Sequence, residues 1–376
     1  MKNLLLLIVL ILCLSFQQKE KKYTIIGNTE NIPNGTIINL FRDYGNISTS
    51  IKRDTIINGV FNFEGILDDE NVKMYLQIEN DKQFNGVCEL WVDDKIIKVS
   101  ANSNLLSSWI VDSKNLEQIN LNKFIEKTRN TQIQIDSLEL TRNKNRQNKK
   151  LSKKILKLTD SLNQLKQEIE FKLIEKNPNS KSAVKLFYEN SKFNSKITKQ
   201  QIENIYNSLT PKYKETLYGE GIYLILNPPN KIEIGNKMVN FKALDKEGLE
   251  HSLTDFKGKY ILLDFWSVGC GPCHFAMPET KKIDSMNREI LTVISISIDT
   301  NNEIWKKISE HKKINWINLY DGKGYYGGAA NLYSVNGIPS YFLINPEGII
   351  IDKWKGYSKG SIINKLKNHI NNFNDN

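Results

Sequence analysis

The densest chemical signal in the chain is Cys270-Gly271-Pro272-Cys273. Two thiols at this spacing can exchange disulfides or help hold zinc. Zinc needs two further soft or imidazole ligands. From residue 232 onward there is no third cysteine, and His251, His274, His311 and His369 are not paired at ligand spacing. The pattern therefore points to redox work without a metal. Disulfide exchange needs one exposed sulfur ionised near neutral pH and a second close behind it. A Cys-x-x-Cys that opens a helix supplies both. The first sulfur meets free N–H groups and the positive helix end, which lowers its pKa. The second lies one turn inward, within bridging range. Cys270 is expected to attack and Cys273, the buried thiol, to resolve, so that no cofactor is required beyond the redox-active pair.

The elements that must position this pair are legible on either side of it. Tyr260–Trp266 is a nearly unbroken apolar run, as expected of a strand buried on both faces. Gly269 and Gly271 mark the turn out of it, and a helix should begin near Pro272-Cys273. Leu291–Ile298 and Ser340–Ile344 read as two further central strands, the latter preceded by Ile338-Pro339. Strands alternating with helical stretches indicate an α/β unit. Asp264 stands inside the first strand between apolar neighbours, where desolvation should raise its pKa. Trp266 suits either a place beneath the cysteine loop or plain core.

These segments resemble the thioredoxin family. Leu262-Leu263-Asp264-Phe265-Trp266-Ser267-Val268-Gly269-Cys270-Gly271-Pro272-Cys273 is similar to its active-site segment, and Ile338-Pro339-Ser340-Tyr341-Phe342 to its cis-proline strand. Asp255-Phe256-Lys257-Gly258-Lys259 and an added helix and strand around Glu303–Trp316 resemble the exported, TlpA-like branch. The resemblance implies that Asp264 relays a proton for Cys273. It also implies that Pro339 is cis and leaves the Ile338 backbone free to pair with a substrate strand. Trp266, Gly271 and Pro272 would complete the substrate-binding surface. Gly-Pro between the cysteines favours a reducing couple, toward the thioredoxin end of roughly −270 to −120 mV. Three positions depart from the family: Gly269 stands where Trp is usual, Ser295 about where cytoplasmic thioredoxins carry a Lys near the buried Asp, and Ala276 in place of a Glu found in several exported reductases of this branch. His274 could favour thiolate or be a surface helix residue.

Upstream the composition changes twice. Short β-branched and aromatic runs between Tyr23 and Asp112, separated by turns such as Asn34-Gly35 and Asn58-Gly59, predict an antiparallel β-sandwich. It resembles a small β-domain of unknown function that often precedes exported thioredoxin domains. Residues 116–226 read as helical. Leu151, Ile155, Leu158, Leu162, Leu165 and Ile169 form a heptad seam, suited to a dimeric coiled coil or to packing within the chain. Asn227-Pro228-Pro229-Asn230 ends this region. The expected layout is multidomain: a signal peptide at 1–17, a β-sandwich-like domain at 23–112, a helical region at 116–226 and a thioredoxin-like α/β domain at 232–376.

The start of the chain bears on compartment. Met1-Lys2-Asn3 is basic, Leu4–Phe16 apolar, and Gln17-Gln18-Lys19-Glu20 polar, as in a secretory signal. Cleavage, an uncleaved anchor and lipid attachment at Cys13 remain alternatives, and the periplasm or cell envelope is the expected location. The net charge of +10 gathers in the helical middle and reads as solvated. The basic cluster Arg142 to Lys150 has no interleaved aromatics for stacking on bases, so nucleic acid is not an expected partner. Anionic headgroups are a weaker option there. The expected partners are protein dithiols and disulfides, with a membrane electron donor. Two alternative functions stay open: a thiol peroxidase, for which Ser267 fits but Leu263 replaces the needed Pro, and a cell-envelope adaptor with a secondary redox domain.

Overall fold

The computed structural model describes residues 21–45, 47–68, 71–79, 86–194 and 196–375. The expected signal segment, with Cys13, lies outside the described residues. The described residues fall into two compact units, within the bounds Met1–Arg42 and Thr49–Lys166 for one and Asp43–Ser48 and Gln167–Asn376 for the other.

Among the described residues, eight strands run in chain order before the first long helix: β1 (Lys21–Thr29), β2 (Ile37–Asp43), β3 (Ser48–Thr55), β4 (Val60–Leu67), β5 (Val72–Ile78), β6 (Cys88–Val92), β7 (Ile96–Ala101) and β8 (Ile110–Asp112). They form two four-stranded sheets, ordered β4-β1-β7-β8 and β3-β2-β5-β6. Alternation makes each sheet one-sided: in β4, Phe61, Phe63 and Leu67 are buried while Val60, Asn62 and Glu64 are exposed. Inward residues of both sheets, among them Ile25, Val99, Leu40 and Met74, share one apolar core with Trp109. Asn58 and Gly59 both hold positive φ (51° and 73°), the left-handed pair of the tight turn that closes the isolated Ile57–Val60 bridge and carries the chain from one sheet to the other. One ladder departs from the antiparallel expectation. β1 and β7 run parallel, with Ile25 opposite Ile97, because the chain returns to β1 only after crossing the second sheet.

Two long helices follow, α1 (Leu116–Lys144) and α2 (Lys149–Lys176). Asn115 caps α1, its Oδ1 accepting from the N–H groups of Glu117 at 2.8 Å and Gln118 at 3.2 Å. The buried Gln118 side chain accepts in turn from the N–H of Trp91, tying the helix to β6. The expected seam on α2 is only partly covered: Ile155 is buried, whereas Leu158 and Leu165 are 45% and 47% exposed.

The second unit carries α3 (Lys181–Phe193), α4 (Lys199–Ser208), α5 (Pro211–Lys214) and α6 (Leu217–Leu226). Then come β9 (Lys242–Leu244), β10 (Glu250–Ser252), β11 (Tyr260–Trp266), α7 (Gly271–Asn287), β12 (Leu291–Ser297), α8 (Asn302–His311) and β13 (Ile317–Tyr320). The chain closes with α9 (Gly328–Leu332), β14 (Ser340–Ile344), β15 (Ile350–Lys355) and α10 (Ser361–Lys367). Here the strands form one sheet, ordered β10-β9-β13-β12-β11-β14-β15. β11, β12 and β13 are parallel, and β14 lies antiparallel to β11. Tyr326, after β13, sits edge-on to Tyr188 of α3 and Tyr218 of α6, with ring centroids 5.1 and 4.9 Å away.

β11 is the spine of this unit. Its odd residues Ile261, Leu263 and Phe265 enter a core with Ile294, Ile296 and Phe342. Each is fully buried, which contributes about 1.5–3 kcal/mol per side chain. Leu262 enters the opposite core with Ala276 and Ile283 of α7. A strand alternates faces every residue, so Asp264 and Trp266 also look toward the α7 side.

Candidate active site

The turn out of β11 delivers Cys270 to the N-cap of α7, with φ −88° and ψ 98°. Its Sγ accepts from the N–H of Cys273 at 3.2 Å. Pro272 falls in the first helical turn, where a missing N–H leaves no gap in the ladder. Cys270 and Cys273 are joined as a disulfide, their Cα atoms 5.2 Å apart. Gly271 and Pro272 are exposed beside it. The sulfurs themselves are better covered than the sequence suggests: Cys270 is 8% exposed and Cys273 3%. Trp266, Trp305 and Tyr320 pack around them, with Val268 and Ile338 at the margin. Cys270 remains the more accessible of the two.

Buried polar contacts fix the loop before Cys270. Asp299, just past the end of β12 and 1% exposed, accepts from Ser267 Oγ at 2.8 Å and from the N–H of Val268 at 2.9 Å. Ser297 Oγ donates to the same carboxylate at 2.6 Å. The carbonyl of Val268 faces His274 Nε2 at 2.9 Å, so that nitrogen carries the hydrogen and donates. His274 is thus neither a free surface residue nor aimed at solvent. Its ring folds back over the loop and lies edge-on to Trp266, with centroids 6.4 Å apart. The backbone of Val268 is thus held at both its N–H and its C=O.

Asp264 is buried, and burial pushes its carboxyl up to about 7 against a hydrogen bond from Ser295 that pulls the other way. Ser295 Oγ donates to Asp264 Oδ2 at 3.0 Å, and Trp316 Nε1 donates to Ser295 Oγ at 2.8 Å. Among the described residues, Oδ1 of Asp264 has no hydrogen-bond partner. Along β11, Asp264 stands between Leu262, which packs with Ala276, and Trp266, which packs with both cysteines.

Trp266 is core, 1% exposed, its indole N–H donating to Asn318 Oδ1 at 2.9 Å. It offers no face to a substrate and acts on the surface only through the residues it supports. The Ile338–Pro339 peptide is cis; Pro339 is buried, while Ile338 is partly exposed and packs at the edge of the cysteine cluster. Sequence reading missed Asp299 and Trp316. Asp299 had a signal, a carboxylate closing the apolar run Leu291–Ile298 with serines at 295 and 297. Among the described residues, no group of three or more His, Cys, Asp or Glu is placed to hold a metal ion.

The chain is similar to known proteins over this region. A model of the AhpC/TSA family matches residues 234–353, a span that contains Asp264, both cysteines and Pro339. The thiol–disulfide oxidoreductase ResA of Bacillus thuringiensis subsp. konkukian is 32% identical over 127 residues, 34% of this chain and 72% of the relative. The thioredoxin-like protein YneN of Bacillus subtilis is 27% identical over 124 residues, 32% of this chain and 71% of YneN. Among solved structures, the thioredoxin domain of a thiol–disulfide oxidoreductase from Bacteroides vulgatus aligns over 38% of this chain and all of that domain, at 30% identity and a TM-score of 0.35. Through its C-terminal domain, the chain belongs to the thiol–disulfide oxidoreductase family and is a protein disulfide oxidoreductase.

Proposed function

We propose that this enzyme reduces or isomerises protein disulfides in the periplasm or cell envelope, with Cys270 attacking and Cys273 resolving. The observation that carries the assignment is the position of Cys270 Sγ. It caps α7 and receives the Cys273 N–H, a site that favours negative charge on sulfur. In the reduced enzyme, the Cys270 thiolate attacks one sulfur of a substrate disulfide. That S–S bond breaks, and the second substrate sulfur leaves as thiolate and is protonated. Asp264 accepts the Cys273 proton, and the Cys273 thiolate attacks Cys270 Sγ. The mixed disulfide breaks, the remaining substrate sulfur takes a proton, and the Cys270–Cys273 bridge forms. Two electrons have passed to the substrate. An external dithiol, held by a membrane donor, must then return two electrons to the bridge.

Gly271, Pro272 and Ile338 surround the bridge and are the surfaces on which a substrate segment would lie, with Pro339 supporting Ile338 from below. The peroxidase reading is disfavoured by the hydroxyl of Ser267, which donates to Asp299, and by Leu263, which sits in the β11 core where that chemistry wants Pro. Export rests on the basic, apolar and polar succession of residues 1–20. Insulin reduction coupled to dithiothreitol, run beside hydrogen-peroxide consumption, tests the reaction. Reduction without peroxide turnover is expected, and the reverse would replace the assignment. A reporter joined after Glu20 that stayed in the cytoplasm would overturn export.

A further inference from the structure

We propose that Ser295 and Trp316 are positioning residues for Asp264. They form a one-way chain of hydrogen bonds that reserves Oδ1 as the oxygen through which Asp264 takes and returns the Cys273 proton. The inference rests on the reading of Asp264 as proton acceptor.

The direction of the chain follows from what each group can do. An indole N–H only donates. Trp316 Nε1, 2.8 Å from Ser295 Oγ, therefore occupies an acceptor site on that oxygen. The Ser295 hydroxyl donates its single hydrogen to Asp264 Oδ2, 3.0 Å away. Both Ser295 and Trp316 are buried, at 1% and 9% exposure. Oδ2 is thereby an acceptor while Asp264 is charged, and it stays one in the neutral acid as long as the Ser295 hydrogen keeps this direction. A proton on Oδ2 would meet the Ser295 hydrogen head-on, so in the neutral acid it sits on Oδ1, the oxygen without a partner.

The strand register makes this possible. Asp264 lies opposite Ser295 on β12 and Tyr341 on β14, and all three turn toward the α7 side. Trp316 arrives from the segment just before β13, 21 positions beyond Ser295. The other titratable groups on this side cannot take over the role. Burial, and then the nearness of Asp264, push the Tyr341 phenol up, so it stays neutral. Glu279 of α7 is turned away, accepting from Tyr357 Oη and from the N–H groups of Gly360 and Ile363. His274 of α7 gives its Nε2 hydrogen to the Val268 carbonyl, Asp284 pairs with Arg288, and the cysteine sulfurs are the partners in the reaction. A hydroxyl thus stands beside the acid, adding no charge but dictating where its proton sits.

The test uses the full chain and three variants, Ser295→Ala, Trp316→Phe and Asp264→Asn. The first readout is the pH profile of mixed-disulfide release in a single turnover. A hydrogen bond to a charged group is lost in Ser295→Ala, so the midpoint of release should move up by roughly one to two pH units. Trp316→Phe should move it the same way by less, because Ser295 keeps its hydroxyl but can now turn it. The second readout is the infrared carbonyl band of neutral Asp264, assigned by its loss in Asp264→Asn. With the proton on Oδ1, the carbonyl oxygen is Oδ2 and is hydrogen-bonded, so Ser295→Ala should raise the band. An unmoved band together with an unmoved midpoint would overturn the proposal. The underlying reading fails separately: it is lost if Asp264→Asn itself releases substrate at the wild-type rate, and the proposal then goes with it.

Discussion

Removing the charge from Asp264 should make the protein more stable in mild alkali, and the structure sets the size of the gain. The carboxyl rises from an ordinary value of 3.8 to about 7, with burial as the leading cause. At about 1.4 kcal/mol per pH unit, that rise corresponds to about 4 kcal/mol. The sign is that of a raised acid. Below its unfolded value both states are protonated and the group costs nothing. Between the two values the unfolded chain ionises while the folded protein cannot, so stability falls as pH rises. Above about 7 the full cost is present. Asp264→Asn removes the titration and nearly preserves shape, and its hydrogen-bond losses do not vary with pH. The stability difference between variant and wild type should therefore grow in favour of the variant by about 4 kcal/mol between about pH 4 and about pH 8. Guanidinium titrations of the oxidised protein followed by tryptophan emission would measure it, because Trp266, Trp305, Trp316 and Trp354 all report from the second unit. A difference that stays flat across this range would refute the claim that Asp264 is held neutral by burial.

Other parts of the chain make independent predictions. Cys88, free and buried in the core of the first unit, has its thiol pushed up to about 12 by burial. It should resist iodoacetamide in the folded protein at about pH 8 and react once the chain is unfolded in denaturant. Asp299→Ala strands three donors, from Ser267, Val268 and Ser297, and should lower the unfolding free energy by about 3 kcal/mol in a denaturant titration. Asn115→Ala removes the cap of α1 and should cost about 1 kcal/mol by the same method, with disulfide reduction unchanged.

How much of this was legible depended on whether the signal was local. Seven apolar or enclosed positions from Tyr260 to Trp266 announce a central strand because both of its faces are buried. Cys270 and Cys273 announce a helix start because their spacing is one turn. The Asp245–Gly248 turn joins β9 to β10, and Asn345–Gly348 joins β14 to β15, each with a glycine at positive φ. β3 was not foreseen, since Ser48 to Arg53 are all exposed and show no alternation. The parallel pairing of β1 with β7 was hidden because register between distant strands is set by the whole core. The α2 seam marked an apolar stripe, yet Leu158 and Leu165 show that periodicity alone does not say what covers a helix. Within the site, the cysteines, Trp266 and Ile338 were readable, whereas Trp305 and Tyr320, which pack in the same cluster, and the residues that hold the loop were not. Asp299 lies 32 positions from Ser267, and Trp316 reaches Asp264 only through Ser295. Such contacts exist only after the sheet has formed.

The central claim, that Cys270 attacks and Cys273 resolves, is tested most directly by trapping. Cys273→Ser keeps the sulfur at the start of α7 but lacks the thiol that releases the substrate. Expressed in cells and recovered from the envelope, it should carry substrate proteins as covalent complexes that dithiothreitol dissolves, and mass spectrometry would name them. Cys270→Ser should carry none. Complexes on Cys270→Ser with none on Cys273→Ser would reverse the two roles. No complexes on either, with wild-type activity in both, would contradict the redox mechanism itself.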